Sequence, residues 1–352
     1  MPGHATIRPR PGVLDIAPYV GGSARIAGAN RAIKLSANEN PHGPSPRAVE
    51  AYRAAAGELN LYPESHGPLA DAIAAVHGIE ADRIVLGNGS DELIALLCKA
   101  YAGEGDEVLY SAHGFLMYRL SALSAGATPV AAPERELTAD VDAMIAAITE
   151  RTRLVFLANP NNPTGTMLPG AEVARLAGAL PPNALLVLDA AYAEYLRPGG
   201  DDGGLALIAD RENVVMTRTF SKIYGLAALR LGWAYAPAHV VDVLHRVRGP
   251  FNVTRPALAA GEAAMRDQEW VDRCRVLNEV WRDWLAREIA AAGLPVVPSR
   301  ANFLLVEAGE RTAAFDRHLQ SRGLIARRVD GYGLPGHIRI TVGDEAGCRA
   351  VA

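Results

Sequence analysis

A primary amine set among hydroxyls and an arginine is the first group in this sequence able to do covalent chemistry. It is Lys222, in Thr219-Phe-Ser-Lys-Ile-Tyr-Gly225, with Arg230 eight residues further on. An amine condenses with an aldehyde, and Thr219, Ser221 and Arg230 are the kinds of group that hold a phosphate, so the set suits a phosphorylated aldehyde. Alone, it also reads as a surface lysine after a strand. Asp189 ends the apolar run Ala184-Leu-Leu-Val-Leu188, and Tyr192 follows on the next turn. That carboxylate is either a helix N-cap or the anionic partner of a protonated pyridine ring. Asn159-Pro-Asn-Asn-Pro-Thr-Gly165 is a rigid turn, plain or with Asn162 donating into a crevice. Gly87-Asn-Gly-Ser-Asp-Glu92 begins like a dinucleotide fingerprint, but Glu92 stands where the third glycine belongs, which excludes NAD. What remains is a glycine turn with Ser90 as N-cap. It is either a phosphate site at a helix N-terminus or a capped helix and nothing more.

Each of these groups follows a strand-like run. Arg83-Ile-Val-Leu, Glu107-Val-Leu-Tyr, Leu154-Val-Phe-Leu, Ala184–Leu188 and Asn213-Val-Val-Met are continuously apolar, as strands buried on both faces are. Helical patterns over 91–102, 116–125, 141–148 and 170–180 lie between them. The alternation predicts an α/β fold over residues 31–237, a mostly parallel central sheet flanked by helices. Four of the strand ends carry the groups above and converge on one edge, where open α/β sheets bind ligands. Residues 1–30 read as an extended arm. Residues 238–352 read as a smaller α+β domain: an Arg-rich helical region to Ala292, broken near Pro256, then short strands about one helix.

Composition narrows the partners. The 352 residues carry a formal net charge of −4, with 49% hydrophobic and 21% charged residues, as in ordinary soluble globular proteins. A pI near 6.2 without a basic block argues against nucleic acid or an anionic membrane as the main target. No apolar run is long enough to span a bilayer, and no apolar segment follows Arg8 and Arg10, so neither a membrane span nor a signal peptide is expected. Cys98, Cys274 and Cys348 are few and far apart, which fits a reducing cytoplasm. Histidine and cysteine spacings match no metal site, and there is no Gly-x-Ser-x-Gly elbow. Among 35 basic residues only Lys34, Lys99 and Lys222 are lysine. A retained lysine is a candidate for work that a guanidinium cannot do, and only Lys222 has the neighbours for it.

Taken in order, Ser36-Ala-Asn-Glu-Asn-Pro, Tyr62-Pro-Glu, the Gly87 and Asn159 segments, Leu188-Asp-Ala-Ala-Tyr, Thr219-Phe-Ser-Lys and Gly331-Tyr-Gly-Leu-Pro resemble fold-type-I pyridoxal-phosphate enzymes over nearly the whole chain. The branch they most resemble is that of the histidinol-phosphate aminotransferases. The resemblance implies that Lys222 takes the cofactor's aldehyde and moves the substrate α-proton. Asp189 would pair with the pyridine nitrogen, Asn162 and Tyr192 with the phenolic oxygen, and Phe115 would stack on the ring. Gly89, Ser90, Asp91 (through its backbone), Thr219, Ser221 and Arg230 would hold the phosphate. Tyr62 would reach the phosphate of a second subunit, which implies a homodimer. Arg339 would clamp the α-carboxylate, Arg327 and Tyr19 the phosphate of the substrate, with Asn38 also on the substrate side. The implied reaction passes an amino group from L-histidinol phosphate to 2-oxoglutarate in histidine biosynthesis. Alternatives on the same scaffold are an aromatic amino-acid aminotransferase, a decarboxylase of a phosphorylated amino acid and, outside enzymes, a regulatory ligand-binding protein. Ile223 and Tyr224 depart from the small residue usual after the lysine, a change expected to alter packing and not the reaction.

Overall fold

The computed structural model describes residues 9, 12–17, 32–63, 66–209 and 211–352. Tyr19 and most of the arm lie outside them. Strands β1 (Ile84–Gly87), β2 (Glu107–Ser111), β3 (Thr128–Ala132), β4 (Thr152–Ala158), β5 (Leu185–Asp189), β6 (Val214–Thr219) and β7 (Gly232–Tyr235) form one sheet in the order β1-β7-β6-β5-β4-β2-β3. From β6 to β3 every neighbouring pair is parallel; β7 runs antiparallel to both β1 and β6. The mostly parallel sheet is thus present, with one reversed strand. Two of its members carry weak signals in the sequence. Gly-Trp-Ala-Tyr in β7 has no β-branched residue, and β3 contains Pro129, which only an edge strand accommodates.

Alternation along the central strands makes two cores. In β4, Val155 and Leu157 face one layer while Leu154 and Phe156 face the other; in β5, Leu186 and Leu188 alternate in the same way with Leu185 and Val187. Helices α1 (Pro46–Ala55), α2 (Gly67–His77), α3 (Ser90–Tyr101), α4 (Leu116–Ala125), α5 (Val141–Ala146) and α6 (Gly170–Gly178) belong to this unit. Strands β8 (Val296–Val297), β9 (Phe303–Glu307), β10 (Arg327–Arg328) and β11 (His337–Thr341) form a second, antiparallel sheet in the order β8-β9-β11-β10.

The Arg-rich region is three helices, α7 (Ala238–Val247), α8 (Arg255–Arg266) and α9 (Gln268–Ala291). The region is interrupted at 248–254, just before Pro256, which sits in the first turn of α8, where its missing N–H costs nothing, and Thr254 Oγ caps that helix. Val240, Val241 and Leu244 of α7 and Leu258 and Met265 of α8 pack on the large sheet. Along α9, Cys274 joins the large core and Leu285 and Ile289 the small one. Conversely, Ile33–Lys34 pairs in parallel with Leu324–Ile325, and Leu35 packs into the small core. A division at 237/238 therefore does not coincide with the separation of the cores, because these helices turn their apolar faces back onto the large sheet.

Candidate active site

The C-terminal ends of β1, β4, β5 and β6 open into a single cleft. At its phosphate-like corner, β1 ends at Gly87 and α3 begins at Ser90. Gly89 is the N-cap, with φ 80°, and no side chain caps the helix. Ser90 is therefore the first helical residue and not the cap, which leaves its hydroxyl to the cleft. Glu92 reaches back to accept from the Asn88 N–H at 2.5 Å and from Asn252 Nδ2 at 2.7 Å, so the residue that excluded a dinucleotide loop secures this turn. A Cβ at Gly232 would lie 2.5 Å from the Ser90 nitrogen, so β7 needs glycine where α3 starts. Arg230, itself at φ 51°, donates to Ser221 Oγ at 3.3 Å and pairs with Asp91 Oδ2 at 3.0 Å. Thr219 Oγ1 accepts from the Ser221 N–H at 3.1 Å.

Lys222 follows β6 and is half-buried, its Nζ donating to the Ala37 carbonyl at 3.3 Å. Burial, aided by the Arg339 charge, lowers its pKa to about 8, within reach of the neutral amine. Asp189 is buried at the end of β5. Tyr118 donates its hydroxyl to Asp189 Oδ2 at 2.7 Å, and Thr217 Oγ1 donates to Oδ1 at 3.3 Å. Burial nevertheless raises Asp189 to about 6, because these neutral donors and the Ala191 N–H do not replace water around a buried anion. A cationic N–H beside it would reverse that shift.

On the opposite wall, Arg339 donates to Asn162 Oδ1 and, at 2.8 Å, to the Ser36 carbonyl. Its Nε is buried without a hydrogen-bond partner among the described residues. Arg327 on β10 is its direct cross-strand partner on β11. Asn38 holds φ 57°, a strained position that asparagine tolerates. Hydrogen bonds fix it there: its N–H donates to Thr341 Oγ1 at 3.0 Å, its Nδ2 to the Tyr192 hydroxyl at 2.9 Å, and its carbonyl accepts from Asn302 Nδ2 at 3.0 Å. Since Tyr192 accepts from Asn38, its own proton is left to donate. Burial pushes its phenol well above the ordinary value, so it stays protonated.

The expected residues Asn38, Ser90, Asp91, Phe115, Asn162, Asp189 and Tyr192 line this cleft, as do Thr219, Ser221, Lys222, Arg230, Arg327 and Arg339. Gly89 lies behind Arg230. Tyr62 is elsewhere: it is 74% exposed and stacks on Phe251 with ring centres 4.4 Å apart. Tyr332, whose segment the sequence singled out without giving it a role, lines the cleft, and sequence reasoning missed Tyr118 and Thr217, which lie under Asp189. The available signal for Tyr118 is its place one helical turn beyond Phe115. Ile223 and Tyr224 are buried in the core, as packing residues are. Among the described residues, no group of three or more His, Cys, Asp or Glu side chains is placed to hold a metal, and no helix is long and apolar enough to cross a membrane.

A half-buried amine and a buried carboxylate on the C-terminal edge of such a sheet define a fold-type-I pyridoxal-phosphate enzyme. A family model described as aminotransferase class I and II matches residues 30–352. The chain is 59% identical over 348 residues to the histidinol-phosphate aminotransferase of Dinoroseobacter shibae, spanning 98% of this chain and 96% of the relative. It is 55% identical over 352 residues to that of Paracoccus denitrificans, spanning 99% and 95%. The crystal structure of histidinol-phosphate aminotransferase from Sinorhizobium meliloti in complex with pyridoxal-5'-phosphate is similar at a TM-score of 0.89 and 30% identity, covering 99% of this chain and 96% of that one. The chain belongs to the class I and II aminotransferases, in the histidinol-phosphate aminotransferase branch, and its cofactor is pyridoxal 5'-phosphate. The donor set fits that group. The bare start of α3 with Ser90, Ser221 and Arg230 suits the phosphate, Asp189 supplies the anion a ring N–H needs, and Lys222 supplies the amine.

Proposed function

We propose that the protein transfers the amino group of L-histidinol phosphate to 2-oxoglutarate, as a step of histidine biosynthesis in the cytoplasm. The observation that carries this reading is the cross-strand pair Arg327–Arg339 at the cleft. In L-histidinol phosphate the carbon beside the amine-bearing carbon carries a phosphate ester where an amino acid has its carboxylate. Two adjacent guanidiniums suit that dianion, and Arg339 alone suits a carboxylate by a bidentate fork. Relatives named for this reaction, at up to 59% identity, support the same reading.

Pyridoxal phosphate, when bound, supplies an aldehyde and an electron-accepting ring. The chain's own residues do the rest. Ser90, Asp91 through its backbone, Thr219, Ser221 and Arg230, with Gly89 giving the backbone room, hold the phosphate. Phe115 would lie on the ring face, Asn162 and Tyr192 would donate to the phenolic oxygen, and Asp189 would keep the ring nitrogen protonated. Lys222 Nζ, lowered to about 8 by burial and by Arg339, is neutral often enough near neutral pH to accept the proton of the substrate α-carbon and hold it as the ammonium. Asn38 positions Tyr192. Tyr19 is read as a further contact to the substrate phosphate. Tyr62 is read as reaching the other cleft of a homodimer, supported by its exposure beside Leu59, Leu61 and Phe251, an apolar group of the kind that marks interfaces.

The test is kcat/KM for L-histidinol phosphate against phenylalanine, each with 2-oxoglutarate. A clear preference for the phosphorylated donor is expected; a preference for phenylalanine overturns the reading.

A further inference from the structure

Tyr118 is buried beneath the cleft and no part of the chemistry uses it directly. Its ring lies flat on Phe156, with centres 4.7 Å apart and planes 7° from parallel. One edge meets Phe115 at 5.9 Å and 86°, and its hydroxyl donates to Asp189 at 2.7 Å. Phe115 and Asp189 come from different elements, the start of α4 and the end of β5. One is read as covering the face of the cofactor ring and the other as holding its nitrogen. We infer that Tyr118 is a positioning residue that fixes both halves of this clamp, Phe115 by an edge-on contact and Asp189 by a hydrogen bond that favours the carboxylate.

The surroundings of the pair support this. Asp91, Tyr192 and Tyr332 are among the titratable groups acting on Asp189 or Tyr118, and the side-chain hydrogen bonds that favour the Asp189 carboxylate include those from Tyr118 and Thr217. Apart from the longer bond from Thr217, the side-chain support of the buried carboxylate is Tyr118. Burial pushes the Tyr118 phenol far above its ordinary range, so it remains a donor at every working pH. Losing it would leave Asp189 protonated to higher pH, and a neutral acid cannot pair with a ring N–H⁺.

The inference rests on Asp189 facing the ring nitrogen, and the experiment keeps the two apart. Cofactor dissociation from the holoenzyme and cofactor affinity of the apoprotein are measured across pH 5–8 for wild type, Tyr118→Phe, Asp189→Asn and the double variant. Tyr118→Phe keeps the ring and removes the hydroxyl. It should weaken cofactor binding about tenfold and move the acid limb of the affinity profile up by about one pH unit. In the Asp189→Asn background the same change should add nothing. 3-Fluorotyrosine at 118, a stronger donor of nearly the same shape, should move the limb the other way. Wild-type behaviour of Tyr118→Phe and of the fluorinated protein, or an undiminished loss in the Asp189→Asn background, overturns the role of Tyr118. Wild-type affinity of Asp189→Asn alone instead overturns the ring-nitrogen assignment beneath it.

Discussion

Arg327 and Arg339 face each other across an antiparallel pair, β10 against β11. Opposed side chains in such a pair share one face of the sheet, with Cβ atoms about 5 Å apart, where like charges repel. Arg339 is held by Asn162 and the Ser36 carbonyl, so its guanidinium is aimed before any ligand arrives. Arg327 is only half-buried. Arg339 is thus aimed in advance with Arg327 directly across from it, and their repulsion is relieved when an anion lies between them.

Arg327→Ala should therefore discriminate between substrates. The loss for the phosphorylated donor should be about 1.5–3 kcal/mol, roughly ten- to a hundredfold in kcat/KM. The loss for 2-oxoglutarate should be smaller, since the Arg339 fork remains for a carboxylate. Steady-state kinetics with both substrates checks this, and equal losses would remove Arg327 from the phosphate role.

Lys222 titrates near 8 because burial disfavours its charge and because Arg339 repels its proton. Cofactor capture by the apoprotein needs the neutral amine, so its rate should rise with pH through a midpoint near 8. Arg339→Gln removes one of the cations that favour the neutral form, so the midpoint should move to higher pH. Stopped-flow absorbance at the cofactor band reads both. A midpoint that stays put or falls would show that Arg339 is not part of the amine's environment. Lys222→Ala should lose the band and the turnover together.

Why these groups were legible and others not has a physical answer. Lys222, Asp189, Asn162 and the turn at Gly87–Glu92 follow local strand signals, and parallel connectivity brings such ends to one edge. The arginine pair depends on register between strands far apart in sequence. Resemblance singled out both arginines, but nothing in the sequence shows that they are opposed. Tyr118 could not be separated from core, since a buried tyrosine on an amphipathic helix looks like packing until its hydroxyl is seen on Asp189. The reversed strand β7 was hidden by its Gly-Trp-Ala-Tyr composition, and α7 and α8 by apolar faces that do not declare which sheet they cover.

Asp189 provides a second pH signature, in stability. Its native pKa, raised from 3.8 to about 6 by burial, means that the apoprotein binds this proton more tightly than the unfolded chain does. The contribution of Asp189 to apoprotein stability is thus present below about pH 4 and lost as pH rises through 6. A paired ring N–H⁺ favours the carboxylate instead, so the cofactor should raise Tm more at pH 7 than at pH 5. Asp189→Asn should flatten that part of the difference. Calorimetry of apo- and holoprotein decides it; an unchanged pH dependence in Asp189→Asn would place its origin elsewhere.

Gly232→Ala tests whether the phosphate corner depends on close backbone approach. The added Cβ would sit 2.5 Å from the Ser90 nitrogen and 2.6 Å from the Gly89 carbonyl carbon. Both are backbone atoms that no rotamer change can clear. Either β7 leaves its register with β1 and β6, or the start of α3 moves away from the cleft. Overpacking of this kind costs about 1–3 kcal/mol, so Tm of the apoprotein should fall. Cofactor affinity should fall as well, because the displaced N–H groups are those read as holding the phosphate. Gly178→Ala, at a helix position with open space around it, is the control and should lower neither. If Gly232→Ala lowers Tm but binds the cofactor as tightly as wild type, the start of α3 is not the phosphate site. The anchoring would then fall to Thr219, Ser221 and Arg230.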